Sequence, residues 1–79
     1  MERSNILNEI DSIISDALNH HNYDFSEELK PADVSDWGSL TNAMIITGIE
    51  QKFNIKFKFL ELSSWKNVGD LANIVLKKL

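Results

Sequence analysis

A serine at the start of a predicted helix is the residue of this sequence best suited to hold an anionic group. Ser39 follows Asp36, Trp37 and Gly38 and opens an apolar segment at Leu40. The first backbone N–H groups of a helix have no partner inside it, so they favour an anion beside the serine hydroxyl. The alternative is an ordinary helix N-cap, in which the hydroxyl accepts a hydrogen bond from its own helix.

The remaining polar residues do not form a catalytic or metal-binding pattern. The chain has no cysteine, and no base, nucleophile and orienting group occur together, so we expect no enzymatic activity. His20, His21 and Asp24 lack a fourth ligand for a closed zinc site, and we interpret them as a polar helix end without a metal. Trp37 and Trp65 are expected to anchor loops to the core.

Length and charge favour one small protein-binding domain, residues 1–79, near the lower size limit for folding alone. Residues 1–38 carry nine acidic and two basic side chains, and residues 39–79 carry three acidic and six basic. This balance lacks the concentrated cationic face that nucleic-acid binding needs and favours positively charged protein partners. No apolar run reaches signal-peptide or membrane-spanning length, so we expect a cytoplasmic monomer without membrane insertion.

Hydrophobic periodicity predicts a first helix over residues 4–19, with Ser4 as its N-cap and the polar residues from Asn19 onwards as its end. Residues 20–38 show no sustained period. We expect a long ordered loop there, held to the core by aromatic and aliphatic side chains, namely Tyr23, Phe25, Leu29, Val34 and Trp37.

A second helix is predicted from Ser39 to Lys52, and its apolar surface is wider than one buried face requires. Some of that surface should stay exposed, and Leu40 and Met44, one turn apart, are the candidates to face a partner.

The segment that follows alternates apolar and basic residues, as a strand would. A single short strand without a partner cannot satisfy its backbone groups, so we predict an extended segment that inserts Ile55, Phe57 and Phe59 into a helical core. One helical turn over residues 59–63 should follow. Asn67 as N-cap, with an acidic residue three positions later, then begins the last helix.

Three stretches of the chain resemble the acyl carrier protein family. Residues 36–41 (Asp-Trp-Gly-Ser-Leu-Thr) resemble its modification site, in which a serine starts the second helix. Residues 49–57 are similar to its apolar-Glu-x-x-Phe-x-Ile-x-Phe stretch, and residues 68–71 (Val-Gly-Asp-Leu) to the opening of its last helix. Their order and spacing carry the resemblance more than any single stretch.

The resemblance implies an all-α, four-helix bundle of three main helices, a short third helix and a long first loop. It also implies a 4'-phosphopantetheine arm attached to Ser39 by a phosphopantetheinyl transferase. Acyl-loading and acyl-transferring enzymes of lipid or polyketide biosynthesis would then use acyl groups held on the arm as thioesters. Asp36, Leu40 and Met44 are the residues that would face these partners.

Two departures from the family pattern bear on this interpretation. Gly38 stands where the family has an aspartate that helps the transferase. This difference predicts that Ser39 is modified more slowly, is modified by a different transferase or is not modified. Glu50 is the single carboxylate of the second helix, which favours a specialised carrier over a housekeeping fatty-acid carrier. Acidic contacts would then come from loop residues, namely Glu27, Glu28, Asp33 and Asp36. The alternative is an unmodified, carrier-like interaction module that binds through its second helix.

Overall fold

A computed structural model describes residues 2–79. No strand occurs in that range, and the all-α prediction of three longer helices and a short third helix is confirmed. None of the helices in residues 2–79 combines the length and the apolar character needed to cross a lipid bilayer. The helices are α1 (Arg3–Leu18), α2 (Ser39–Phe53), α3 (Phe59–Ser64) and α4 (Val68–Lys78), with a short 3₁₀ turn at Pro31–Asp33.

The first helix starts earlier than predicted, and Ser4 is not its N-cap. Ser4 lies inside α1, while Glu2 occupies the N-cap position without a side-chain hydrogen bond. The helix reaches Arg3 because that side chain is fixed by hydrogen bonds to the first loop and to α4. The predicted end is confirmed: Asn19 adopts the left-handed conformation, with φ of 62°, that commonly ends a helix.

The core is formed by one face of each long helix, and α1 packs against both α2 and α4. Burying these aliphatic side chains is the main favourable contribution to folding in a chain that has no disulfide. The buried hydrophobic side chains of the long helices are Ile6, Ile10, Ile14 and Leu18 of α1, Ile45, Ile46, Ile49 and Phe53 of α2, and Val68, Leu71, Ala72 and Val75 of α4.

A glycine permits the close approach of α1 and α2. A β-carbon added to Gly48 would lie 2.8 Å from Cγ2 of Ile13, which is closer than carbon atoms pack. That methyl group cannot swing away easily, since a β-branched side chain in a helix has one strongly preferred rotamer. Gly48 therefore sets the distance between the two helices.

The first loop is ordered, as predicted, and its aliphatic and aromatic side chains join the core. Leu29, Val34 and Trp37 are buried. The Tyr23 hydroxyl donates to a carboxylate oxygen of Asp11 on α1 at 2.9 Å. Partial burial, together with this bond, raises the pKa of the tyrosine above its ordinary value.

Main-chain hydrogen bonds join the same loop to the start of α4. The N–H of Val68 donates to the carbonyl of Leu29 at 2.9 Å, and the N–H of Gly69 donates to the carbonyl of Glu27 at 2.8 Å. These donors have no partner inside their own helix, so the loop completes the N-terminus of α4. Asn67 is its N-cap, as predicted, and its side-chain oxygen accepts from the N–H of Asp70 at 2.9 Å.

Arg3 ties three parts of the fold together. Its guanidinium donates to the carboxylate of Glu27 in the loop, to the side-chain oxygen of Asn73 and to the carbonyl of Gly69. The hydrogen bond from Arg3 holds the pKa of the Glu27 carboxyl below its ordinary value.

The prediction that Phe59 inserts into the core is wrong. Ile55 is buried and Phe57 is half-buried, as predicted, but the side chain of Phe59 is 81% exposed. The alternating pattern ends at Lys58, because a carboxylate oxygen of Glu61 accepts from the Lys58 N–H at 2.7 Å and thereby fixes the first turn of α3. Phe59 is then the first helical residue and points to solvent.

Gly48→Ala is expected to lower the free energy of unfolding by up to about 2 kcal/mol. Overpacking against Ile13 costs about 1–3 kcal/mol, which outweighs a gain of about 1 kcal/mol in helix propensity. In an Ile13→Ala background the clash is removed, and Gly48→Ala should stabilise the protein. Urea unfolding of the four proteins measures this coupling. Equal effects of Gly48→Ala in both backgrounds would contradict the close approach.

Glu27→Gln is expected to destabilise the protein at neutral pH and to have little effect in acid. The pKa of Glu27 in the folded state lies below the ordinary value of 4.5, so its contribution is present above pH 4.5 and is lost as the pH falls through the lowered value. Thermal unfolding of both proteins from neutral to acidic pH measures the difference. A stability difference between the two proteins that grows towards low pH would contradict the lowered pKa of Glu27.

Candidate functional site

Ser39 is the first residue of α2, and its side chain is exposed. Gly38, with φ of −102° and ψ of −167°, occupies the N-cap position, so the serine does not act as the N-cap of this helix. Within residues 2–79 the Ser39 hydroxyl has no hydrogen-bond partner. The hydroxyl is therefore free to react or to be modified.

The backbone at the start of α2 is also unpartnered. The first hydrogen bond inside this helix runs from the N–H of Asn42 to the carbonyl of Gly38 at 2.8 Å. In the described part of the chain, the N–H groups of Ser39, Leu40 and Thr41 find no acceptor. They form the positive end of the helix dipole, which favours a negatively charged group at Ser39.

The start of α4 differs from the start of α2, because its N–H groups do have acceptors. The N–H groups of Val68 and Gly69 bind loop carbonyls, and the N–H of Asp70 binds the side chain of Asn67. A carboxylate oxygen of Asp70 also accepts from the N–H of Lys66 at 2.9 Å. The N-terminus of α4 is used structurally, whereas that of α2 is left for solvent or a ligand.

A shallow depression of about 440 Å³ lies beside Ser39. The end of the first loop and the start of α2 form one side, and α3 with the residues after it forms the other. Apolar side chains and a lysine line the second side, so the depression offers both an apolar surface and a positive charge. Its lining includes Gly38, Ser39 and Asn42 on one side and Leu62, Trp65 and Lys66 on the other.

Trp37 fixes the loop immediately before the site, as predicted for a loop anchor. The indole is buried, and its Nε1–H donates to the side-chain oxygen of Asn42 on α2 at 3.0 Å. Its ring centroid lies 6.4 Å from that of the half-buried Trp65, which lines the depression. The two tryptophans thus connect the loop, the start of α2 and the end of α3.

Asp36 is exposed, as a partner-facing residue must be, but it already has an internal partner. Its carboxylate lies 2.7 Å from Nε2 of His20, and its carbonyl accepts from the hydroxyl of Thr41 at 3.3 Å. His21 instead contacts the carboxylate of Asp11 at 2.9 Å. The adjacent histidines therefore bind two different carboxylates. The sequence offered no signal for the pairing of His20 with Asp36, since a long loop separates them.

The apolar side chains proposed to face a partner are accessible. Leu40 is 77% exposed and Met44 is 50% exposed. Sequence reasoning missed a second apolar group on α3, where Phe59 and Leu60 are exposed to 81% and 76%. Three apolar residues at positions 59, 60 and 62 of a six-residue helix were the available signal, because so short a helix cannot bury all of them.

Gly38→Asp is expected to stabilise the protein by about 0.5 kcal/mol, because an N-cap aspartate can accept from the free N–H groups of α2. Nothing lies within 4 Å of a β-carbon added at Gly38, so the side chain meets no obstacle. Urea unfolding measures the change, and Gly38→Ala, which adds the carbon without an acceptor, is the matched control. An aspartate variant no more stable than the alanine variant would contradict the presence of unpartnered N–H groups at the start of α2.

The chain matches no protein-family model, no curated protein and no solved structure.

Proposed function

We propose that this protein is an acyl carrier protein that carries a 4'-phosphopantetheine arm on Ser39. The observation that carries the proposal is an exposed, unbonded serine hydroxyl beside three unpartnered backbone N–H groups at the start of α2. The fold supports it as well, since four helices with a long first loop and a short third helix agree with the resemblance.

The residues around Ser39 fit such a group. The N–H groups of residues 39–41 would face its phosphodiester, whose negative charge they favour. Gly38 leaves open space next to the serine, and Lys66 adds a positive charge to the depression. When attached, the group supplies a thiol that holds acyl chains as thioesters.

The protein itself need not activate Ser39. Within the described residues, neither a carboxylate nor an imidazole hydrogen-bonds its hydroxyl, so the base must come from a transferase. In the attachment step, the Ser39 oxygen bonds to the phosphorus next to the pantetheine of coenzyme A. The pyrophosphate bond breaks, the adenosine bisphosphate leaves, and the transferase accepts the hydroxyl proton. The carrier contributes only an accessible hydroxyl at a site that tolerates the negative charge.

Tethering explains how a small carrier can serve several enzymes. An attached acyl group meets each bound enzyme at a high effective concentration, which replaces a separate binding event. The exposed Leu40 and Met44 would contact those enzymes, and the absence of free carboxylates on α2 favours a specialised lipid or polyketide pathway. The only carboxylate of α2, Glu50, accepts from the N–H of Phe57 at 2.9 Å.

Incubation with coenzyme A and a broad-specificity phosphopantetheinyl transferase is expected to raise the intact mass by one phosphopantetheinyl group. Ser39→Ala should abolish the increase because it removes the attacking oxygen. Ser35→Ala, which removes an exposed hydroxyl in the preceding loop, should leave it unchanged. An unshifted mass of the folded wild-type protein, or an equal shift in the Ser39→Ala variant, would contradict the proposal.

Gly38→Asp provides a second comparison in the same assay. The aspartate restores the family pattern, so we expect the variant to be modified faster than the wild-type protein. If both proteins stay unmodified, the second candidate function is favoured, namely an unmodified interaction module that binds through α2. The exposure of Leu40 and Met44 is the observation that supports this candidate.

A further inference from the structure

The second half of the chain exposes positive charges that have no internal partner. Of its six lysines, Lys52 pairs with Glu9 and Lys78 pairs with Glu61. In residues 2–79, no carboxylate lies within ion-pair distance of the other four, which are Lys56, Lys58, Lys66 and Lys77.

The three carboxylates of residues 39–79 are all engaged. Glu50 accepts from the N–H of Phe57, and Asp70 accepts from the N–H of Lys66. Glu61 accepts from the N–H of Lys58 and pairs with Lys78 at 3.0 Å. The backbone hydrogen bond and the lysine hold the pKa of Glu61 below its ordinary value, which keeps it ionised and paired. Six lysines against these three carboxylates give the side chains of residues 39–79 a net charge of +3.

Two of those lysines flank the exposed apolar side chains of α3. Lys58 immediately precedes the helix, and Lys66 follows it at the depression that also contains Ser39 and Leu62. We define the α3 face as Lys58, Phe59, Leu60, Leu62 and Lys66. This surface has an apolar centre and a positive rim, and it adjoins the proposed attachment site.

We propose that the α3 face docks on a protein partner whose contact surface is apolar in the centre and carries carboxylates at its rim. The inference rests on the proposed function, in which the α3 face lies beside the arm, and it specifies the chemistry of the partner. It reverses, for this face, the expectation from overall charge that partners are positively charged. Charge complementarity would orient the partner over Ser39 and speed its association.

A protein surface suits the α3 face better than a lipid surface or a second copy of the chain. A helix of six residues presents too small an apolar face for stable interfacial binding. A second copy would have to offer carboxylates from residues 1–38, and five of these nine already have an internal partner, namely Glu9, Asp11, Glu27, Asp33 and Asp36.

The test is an NMR titration of the unmodified protein with two helical peptides. One peptide has a leucine stripe flanked by glutamates, and the other has lysines in place of the glutamates. We expect the acidic peptide to shift the amide signals of α3 and the start of α2, and added salt to weaken its binding. Lys58→Gln/Lys66→Gln should weaken it about threefold, and Lys58→Glu/Lys66→Glu about tenfold.

Lys52→Gln is the matched control, because it removes one positive charge at the contact between α1 and α2. It should bind the acidic peptide as the wild-type protein does. Leu60→Ser tests the apolar centre and should also weaken binding. Circular dichroism and urea unfolding establish that each variant is folded. Equal binding of the two peptides, or no effect of the Lys58 and Lys66 variants, would overturn the inference.

Two further outcomes would also overturn it by identifying another occupant. Stronger binding to phosphatidylglycerol vesicles than to the acidic peptide would indicate a membrane, and concentration-dependent association lost in the lysine variants would indicate a second copy. The titration uses the protein without an arm, so peptide binding and Ser39 modification are measured independently and each can fail without the other. Peptide binding without Ser39 modification would overturn the latter, whereas modification without peptide binding would overturn this inference alone.

Discussion

The arrangement of the site depends on two main-chain hydrogen bonds between the first loop and the start of α4. The N–H groups of Val68 and Gly69 need acceptors outside their helix, and the carbonyls of Leu29 and Glu27 provide them. The same bonds fix the middle of a loop that has little regular structure. Because the loop is fixed there, and again where Trp37 is buried, α2 begins at a defined place. Ser39 is thus positioned by packing and hydrogen bonds elsewhere in the fold.

The two helix starts and the two halves of the chain differ in how they use their polar groups. The N–H groups at the start of α4 donate to acceptors within the fold, whereas those at the start of α2 have no acceptor in residues 2–79. In the same way, five of the nine carboxylates of the first half have an internal partner. Four of the six lysines of the second half have none in residues 2–79. The unpartnered N–H groups of α2 and the free Lys66 lie beside Ser39, and the free Lys58 precedes α3. The net charge of −4 does not describe this part of the surface.

Most of the fold could be predicted from the sequence, because aliphatic residues at helical spacing leave few alternatives for α1, α2 and α4. Asn19 and Asn67 mark helix ends through local chemistry, so these ends could be predicted as well. The position of Ser4 inside α1 and the exposure of Phe59 could not. The start of α1 depends on Arg3 binding residues distant in sequence, and the exposure of Phe59 depends on a hydrogen bond that begins a helix within an alternating pattern. The pairing of Asp36 with His20 and the free lysines beside α3 likewise follow from tertiary contacts.

We propose that Ser39 carries the arm in the working protein. Tandem mass spectrometry of the protein isolated from the cells that produce it tests this most directly, because it locates a covalent group on a single residue. We expect a phosphopantetheinyl group on the peptide containing Ser39 and none on the peptides containing Ser63 or Ser64, which are exposed on α3. A peptide with unmodified Ser39 in all of the isolated protein, or the group on another serine, would contradict it.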